Sequence, residues 1–307
     1  MKAVNNLLEK LTLFKMIKKS TLQHLRIPFS IYLMPFFCFA ASQSVHPNFW
    51  YLFLSFVIIH LFFNPASNGF NSYYDKDEES IGGIENPLPV DKELLYVSLL
   101  VDLVGQLLCF LISWQFALMI FVIGFVSKAY SHPAIRLKKY PIVGLLTVAL
   151  FQGAWTYLMA LMAIDDLSLS ELLNGRYLFA AGLCSMLLFG SYPMTQVYQH
   201  GEDGRRGDVT ISRMLGIRGT FYWTISVFSL GTACFCLYFY TYYSLSLALL
   251  FPIFMTPTLV YFLFWFLRVL KDEKAADFRS TMNLNKISSL SFIALFTFLY
   301  FYASKFL

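Results

Sequence analysis

Charge is scarce in this chain: Asp, Glu, Lys and Arg make up only 13% of its 307 residues, about half their usual share in soluble domains. Hydrophobic residues supply 58%, and the mean hydropathy is +0.60, which argues against a water-soluble fold. Cysteine is sparse too. Cys38, Cys109, Cys184, Cys234 and Cys236 all lie in apolar stretches without metal-ligand spacing, so they read as small buried hydrophobes, not as a disulfide framework or a zinc site. No glycine-rich P-loop pattern occurs, which disfavours nucleotide phosphates. The period-two alternation of barrel strands is missing, as are low-complexity linkers and any separate soluble domain.

What is present is a succession of apolar runs, each long enough to cross hydrocarbon at about 17–25 residues. They fall near 27–44, 48–70, 94–114, 116–131, 142–163, 177–199, 220–242, 244–267 and 288–304. Lipid offers no partner to backbone polar groups, so each run must satisfy its own hydrogen bonds as a helix. The expectation is an all-α integral membrane protein, a bundle of nine transmembrane helices around a central cavity open toward the cytoplasm. Lys and Arg stay with cytoplasmic loops. With the N-terminus inside, every basic residue except Arg176 and Lys305 falls on the cytoplasmic side, and the C-terminus emerges opposite.

The net charge of +5 therefore reads as a topology signal and an attraction to anionic headgroups; nucleic acid is not expected. Residues 1–24 have a basic start but no long apolar core or cleavage site, and read as an amphipathic cytoplasmic segment lying at the interface. Residues 25–307 form the transmembrane domain. The long loops at about 72–93, 200–219 and 268–287 hold most ionisable groups, so any chemistry belongs on that face.

Two helix ends carry polar stripes. At 100° per residue, His60, Asn64, Asn68, Asn71, Asp75 and Glu79 share an arc of roughly 100°. Tyr192, Gln196, Gln199, Asp203 and Arg206 share one of roughly 80° on a second helix. Capped, solvated helix ends would account for either stripe alone, but polar groups at membrane depth face a bundle interior and default to function. Asn71, Asp75 and Glu79 at i, i+4, i+8 stack oxygen donors on successive turns, and hard oxygen donors suit Mg2+. A hydrated magnesium held by one or two carboxylates commonly also binds phosphate. The segment "YSHPAIRLKKYP" places Arg136, Lys138 and Lys139 on the same side; alone they are topology determinants, but beside an acidic site they can also hold phosphate.

These residues resemble the UbiA superfamily of intramembrane prenyltransferases. The family's first signature, Asn-x-x-x-Asp-x-x-x-Asp, corresponds to "NSYYDKDEE" with Asn71, Asp75 and Glu79. The second, Asp-x-x-x-Asp-x-x-x-Gly with a nearby Thr, corresponds to "QHGEDGRRGDVT" with Gln199, Asp203, Gly207 and Thr210. "ENPLPV" is similar to the family's Arg-Pro-Leu-Pro turn, and "YSHPAIRLKKYP", with Tyr130, to its tyrosine-and-basic segment. Departures are Glu79 for Asp, Gln199 for a carboxylate with Glu202 or Asp208 as compensating candidates, and Gly82 and Gly83 where basic residues are frequent.

The resemblance implies a Mg2+ cofactor and an isoprenoid diphosphate whose prenyl group passes to a lipophilic acceptor, an aromatic ring or quinone precursor, with pyrophosphate released. It assigns metal and catalytic roles to Asn71, Asp75, Glu79 and Asp203. Substrate contacts fall to Arg26, Asn68, Tyr130, Arg136, Lys138, Tyr192, Gln199 and Arg206. Aromatic faces attract cations, and Trp155, Tyr157, Tyr192 and Tyr198 are candidate walls for a carbocation. Asp102, Gln106 and Gln152 are read as interhelical hydrogen-bonding groups. A bacterial inner membrane is the expected location, with membrane lipid as surroundings and no obligatory protein partner. Alternatives are a terpene cyclase acting on the diphosphate alone and, from another class, a transporter.

Overall fold

A computed structural model describes residues 17–303; residues 1–16 of the amphipathic N-terminal segment, and Lys305, lie outside the described residues. The described chain is helical throughout, apart from loops and one bridge between Ile81 and Ile84. Helices α1 (Lys19–Tyr32) and α2 (Met34–Gln43) form one rod bent by 42°. There follow α3 (Phe49–Asp75), α4 (Lys92–Cys109), α5 (Trp114–Ser131), α6 (Pro141–Asp165), α7 (Gly175–Arg206), α8 (Ile217–Tyr242), α9 (Leu245–Lys271) and α10 (Phe278–Ala303).

Among the described residues, seven helices are long and apolar enough to cross a membrane, or eight if the bent α1–α2 pair is one span. The rod expected over 94–114 is shorter. It ends at Cys109, and its 18 residues include Lys92, Glu93 and Asp102, so charge keeps it out of that set.

Local sequence explains the departures from regular α-helix. Ile58–Phe63 in α3 winds as a wider π-helix, in which the N–H of residue 65 would bond the carbonyl of residue 60. Residue 65 is proline and has no N–H. The hydroxyl of Ser30 donates to the His60 carbonyl instead, at 3.0 Å. Val148–Trp155 in α6 is a second π-helical stretch, and there the Thr156 hydroxyl donates to the Phe151 carbonyl at 3.0 Å. Gly153 lets α6 approach α7 closely: a Cβ on it would stand 2.8 Å from the Cys184 carbonyl oxygen.

One end of the bundle is filled by phenylalanine. Phe39 stacks on Phe296 with centroids 4.4 Å apart, and Phe235 on Phe251 at 4.5 Å. In hydrocarbon such contacts hold helices together by close packing and not by expulsion of water. At the same end Arg176, Tyr238 and Tyr243 all donate to Gln43 Oε1, at 3.3, 2.5 and 2.9 Å. The opposite end, where α3, α5 and α7 finish and α6, α8 and α10 begin, carries the polar loops.

Candidate active site

A cavity of about 350 Å³ runs from the loop end into the bundle. Asn64, Asn68, Asn71 and Asp75 reach it from α3, and Gln196, Gln199, Asp203 and Arg206 from α7. The two acidic segments, separate in sequence, thus line one space. Arg26, Tyr130, Lys138 and Tyr192 line it too. Farther in, Phe36, Phe63, Phe151 and Phe292 supply an apolar wall.

Ion pairs knit the two acidic segments together. Lys138 is paired with Asp75. Arg136 donates from Nη2 to Asp208 Oδ2 at 2.8 Å and from Nε to Oδ1 at 3.4 Å, while its Nη1 stands 3.7 Å from Asp75 Oδ1. The hydrogen bond to Asp208 is the main reason the Arg136 guanidinium holds its proton more tightly than usual, and Asp208 and Asp75 add coulombic attraction. Arg206 pairs with both Asp77 and Glu202. Three basic residues here adopt the left-handed backbone region, Arg26 (φ 48°), Lys76 (φ 50°) and Arg136 (φ 47°). Such conformations cost a non-glycine residue on the order of 1–2 kcal/mol and gather at functional sites.

The left-handed turn at Lys76 corrects one expectation. It ends α3 at Asp75, so Glu79 does not sit on the next turn above Asp75. Glu79 is exposed, lies off the cavity wall and pairs with Arg205 at the surface. Asp77 takes the inner position and lines the cavity. Nothing in a helical period points to it, because the signal is a backbone turn made without glycine.

His60 is a second correction. The π-helical turn breaks the 100° step, and His60 is buried between the Phe37 and Phe56 rings, at 5.7 and 4.8 Å, away from the cavity lining. Trp155 and Tyr157 are likewise not lining residues. The Trp155 indole donates to the Met119 carbonyl at 3.0 Å, and Tyr157 is fully buried in the aromatic core. Gln106 bonds the Ala117 carbonyl at 2.8 Å across helices, whereas Gln152 faces the cavity.

The other departures have visible counterparts. Gln199 lines the cavity, its amide donating to the Ser80 carbonyl at 3.3 Å. Of the two compensating candidates, Asp208 lines the cavity; Glu202 does not. The Arg26 guanidinium donates to the Gly82 carbonyl at 3.4 Å and the Asn68 carbonyl at 3.2 Å. A cation from α1 therefore occupies the neighbourhood of the Gly82–Gly83 turn, which has none of its own.

The donor set fits a hard divalent cation. Asp75 Oδ1 is buried and accepts no hydrogen bond. Asn71 is oriented by Ser131, to which its amide nitrogen donates at 2.8 Å, which leaves Oδ1 with only a 3.5 Å approach from Arg26. Thr210 orients Asp203 through a 3.2 Å bond to Oδ2. Among the described residues no three Asp, Glu, His or Cys side chains converge as a ready-made metal cluster. Magnesium does not require one, since one or two carboxylates, waters and substrate phosphates commonly complete its shell.

Fold and site together define a polytopic helical membrane protein with a cation-and-carboxylate mouth above an apolar cavity. The chain belongs to the UbiA prenyltransferase family, whose profile matches residues 32–303. Among solved structures it is similar to a UbiA homologue from Archaeoglobus fulgidus bound to DMAPP and Mg2+, with 15% identity, a TM-score of 0.67, and coverage of 92% of this chain and 99% of that one. The same homologue bound to GPP and Mg2+ matches at 15% identity and a TM-score of 0.66, over 92% and 99% of the two chains. A UbiA homologue from Aeropyrum pernix K1 matches at 16% identity and a TM-score of 0.67, over 88% and 97%. At these identities the likeness is one of fold. Among curated protein sequences no match was found.

Proposed function

We propose that this protein is a magnesium-dependent intramembrane prenyltransferase, which ionises an isoprenoid diphosphate, passes the prenyl group to a lipophilic aromatic or quinone-precursor acceptor and releases pyrophosphate. The observation that carries this reading is the meeting of Asp75 and Asp203, from α3 and α7, at one cavity that Lys138 and Arg206 also line. The homologue structures with DMAPP or GPP and Mg2+ support the same substrate class.

Asn71, Asp75 and Asp203 would hold magnesium, with Asp77 in the position first expected for Glu79. Bound there, the ion would offset negative charge developing on the departing diphosphate. Lys138, Arg206 and Arg26, which line the cavity, bind the diphosphate oxygens by charge-assisted hydrogen bonds; Arg136, off the lining, acts through Asp208 and its 3.7 Å approach to Asp75. Asn68 and Gln199 orient the headgroup. The Tyr130 and Tyr192 rings, whose hydroxyls bond one another, face the cationic carbon, and the phenylalanine wall holds the chain and excludes water.

In this reading α1–α2 and α4 also count as spans, giving nine in a bacterial inner membrane. The cavity opens to the cytoplasm, where residues 1–24 lead onto the catalytic domain at 25–307. The test is product analysis with C10, C15 and C20 diphosphates and Mg2+, with and without phenolic and naphthoate acceptors. Acceptor-dependent prenylated product with stoichiometric pyrophosphate is expected. Cyclic terpene without acceptor would establish a cyclase instead, and no pyrophosphate under any condition would overturn the enzyme reading.

A further inference from the structure

Behind the cavity, between α3, α4 and α5, lies a second void of about 10 Å³, close to the space one water needs. Ser67 and Ser127 line both spaces and their hydroxyls bond one another. On the far side, near the loop end of α5, an ion pair stands between the helices, Lys128 Nζ with Asp102 Oδ2 at 2.6 Å. Ser98, 1% exposed, lines the same void with a hydroxyl that has no hydrogen-bond partner. A charged pair among helices is costly, and its usual justification is a proton or ion path. Among the described residues, Asp102 and Lys128 are the only charged groups lining this void.

We infer that this chamber is a proton exit for the transfer reaction, with one water bridging Ser127 and Ser98 to the Asp102 carboxylate. The inference rests on the transferase reading. In that reaction the prenyl carbon–oxygen bond breaks, its electron pair leaving with diphosphate, and a carbon–carbon bond forms with an electron pair from the acceptor ring. The acceptor carbon–hydrogen bond then breaks, its electrons return to the ring, and one proton must leave. In that reading the carboxylates at the cavity mouth would hold the metal, as Asp75 and Asp203, or pair with arginine, as Asp77 and Asp208. Ser67 can accept this proton as it hands its own to Ser127; the water repeats the exchange, and Asp102 receives a proton. Lys128, paired with Asp102, repels the arriving proton onward. Lys128 stands one turn from the loop end of α5, and its side chain and that of Asp102 are 33% and 27% exposed, so the proton passes to water at that end of the bundle.

The test compares Asp102→Asn, Asp102→Glu and Ser127→Ala with the wild type, using the diphosphate and acceptor the wild type turns over. Asp102→Asn and Ser127→Ala are expected to lower kcat per folded molecule by about tenfold or more, the lower end of proton-transfer effects, with KM for the diphosphate within about twofold; Asp102→Asn, which leaves Lys128 without its partner, should also melt lower. Asp102→Glu is expected to restore kcat. Folded Asn and Ala variants with wild-type kcat would overturn the proposal, as would equal losses in Asn and Glu variants with raised KM, which mark a packing role. A high-resolution experimental structure of the full chain gives a reading independent of turnover. Density for a water within hydrogen-bond distance of Ser98, Ser127 and Asp102 is expected, and a dry contact there would sink the relay. Failure of the wild type to consume any prenyl diphosphate would overturn the transferase reading and the exit's role with it, whatever the water density shows.

Discussion

Arg136 holds Asp208 by two bonds, 2.8 Å from Nη2 and 3.4 Å from Nε, and thereby pins the loop after α5 to the loop after α7. Only a planar guanidinium reaches two oxygens of one carboxylate in this way. Arg136→Lys is expected to raise KM for the prenyl diphosphate by about tenfold, equivalent to the roughly 1.5 kcal/mol of a charged hydrogen bond. The pKa of Arg136 is raised, chiefly by the Asp208 hydrogen bond, so its contribution is fully present below the ordinary arginine range and is lost only above the raised value. The alkaline side of a pH–rate profile should therefore carry no step from this residue at any pH the protein survives. Steady-state kinetics on the wild type and Arg136→Lys across pH would measure both effects.

Asp77 and Glu79 sit two residues apart and should behave differently. Glu79 pairs with Arg205 at the surface, the two side chains 49% and 62% exposed, and such pairs contribute little. Glu79→Gln is expected to change turnover by less than about fivefold. Asp77 is 10% exposed, pairs with Arg206 and lines the cavity, so Asp77→Asn should cost at least about tenfold in kcat. The reverse ranking would mean that α3 extends past Lys76 when the substrate is bound.

Asp75→Asn and Asp203→Asn should each lower kcat by about a hundredfold or more while leaving the fold intact, as expected of groups that stabilise charge in a transition state. Far-UV circular dichroism and a detergent melt would report the fold, and pyrophosphate release the rate. A near-normal rate for either variant would remove that residue from the metal site.

Tyr130 and Tyr192 meet through their hydroxyls at the cavity wall, which fixes both rings. Tyr130→Phe keeps the aromatic face and should lose less than about fivefold in kcat, whereas Tyr130→Leu removes a cation–π contact of roughly 0.5–2 kcal/mol and should lose more. The comparison is one of initial rates at saturating diphosphate.

Much of this was legible in the residue order. Apolar run lengths placed the rods, and the second polar stripe, from Tyr192 to Arg206, reaches the cavity as expected even though Pro193–Gln199 winds as a tighter 3-10 helix. The first stripe was legible only from Asn64 to Asp75. A π-helical turn displaces His60, and a left-handed Lys76 displaces Glu79. Pro65 accounts for the first only once the π-turn is seen, with the Ser30 hydroxyl taking the freed His60 carbonyl, and the ion pairs of Arg205 and Arg206 accompany the second. A rigid 100° step has no term for either.

The far end of the bundle offers a test of stability separate from chemistry. Gln43 is 1% exposed, and its single carbonyl oxygen accepts from Arg176, Tyr238 and Tyr243. Removing that acceptor leaves the Tyr238 and Tyr243 hydroxyls without the acceptor they donate to and takes one partner from Arg176, which keeps a 2.8 Å bond to Tyr243. A buried donor stranded in this way costs about 1–3 kcal/mol. Gln43→Leu should therefore lower the melting temperature clearly, while Gln43→Glu, which keeps an acceptor and adds a charge beside Arg176, should lower it less. Turnover per folded molecule should remain close to wild type in both, because the network lies beyond the phenylalanine packing that separates it from Asp75. A selective loss of activity in a well-folded Gln43→Leu variant would show that the far end is coupled to the site.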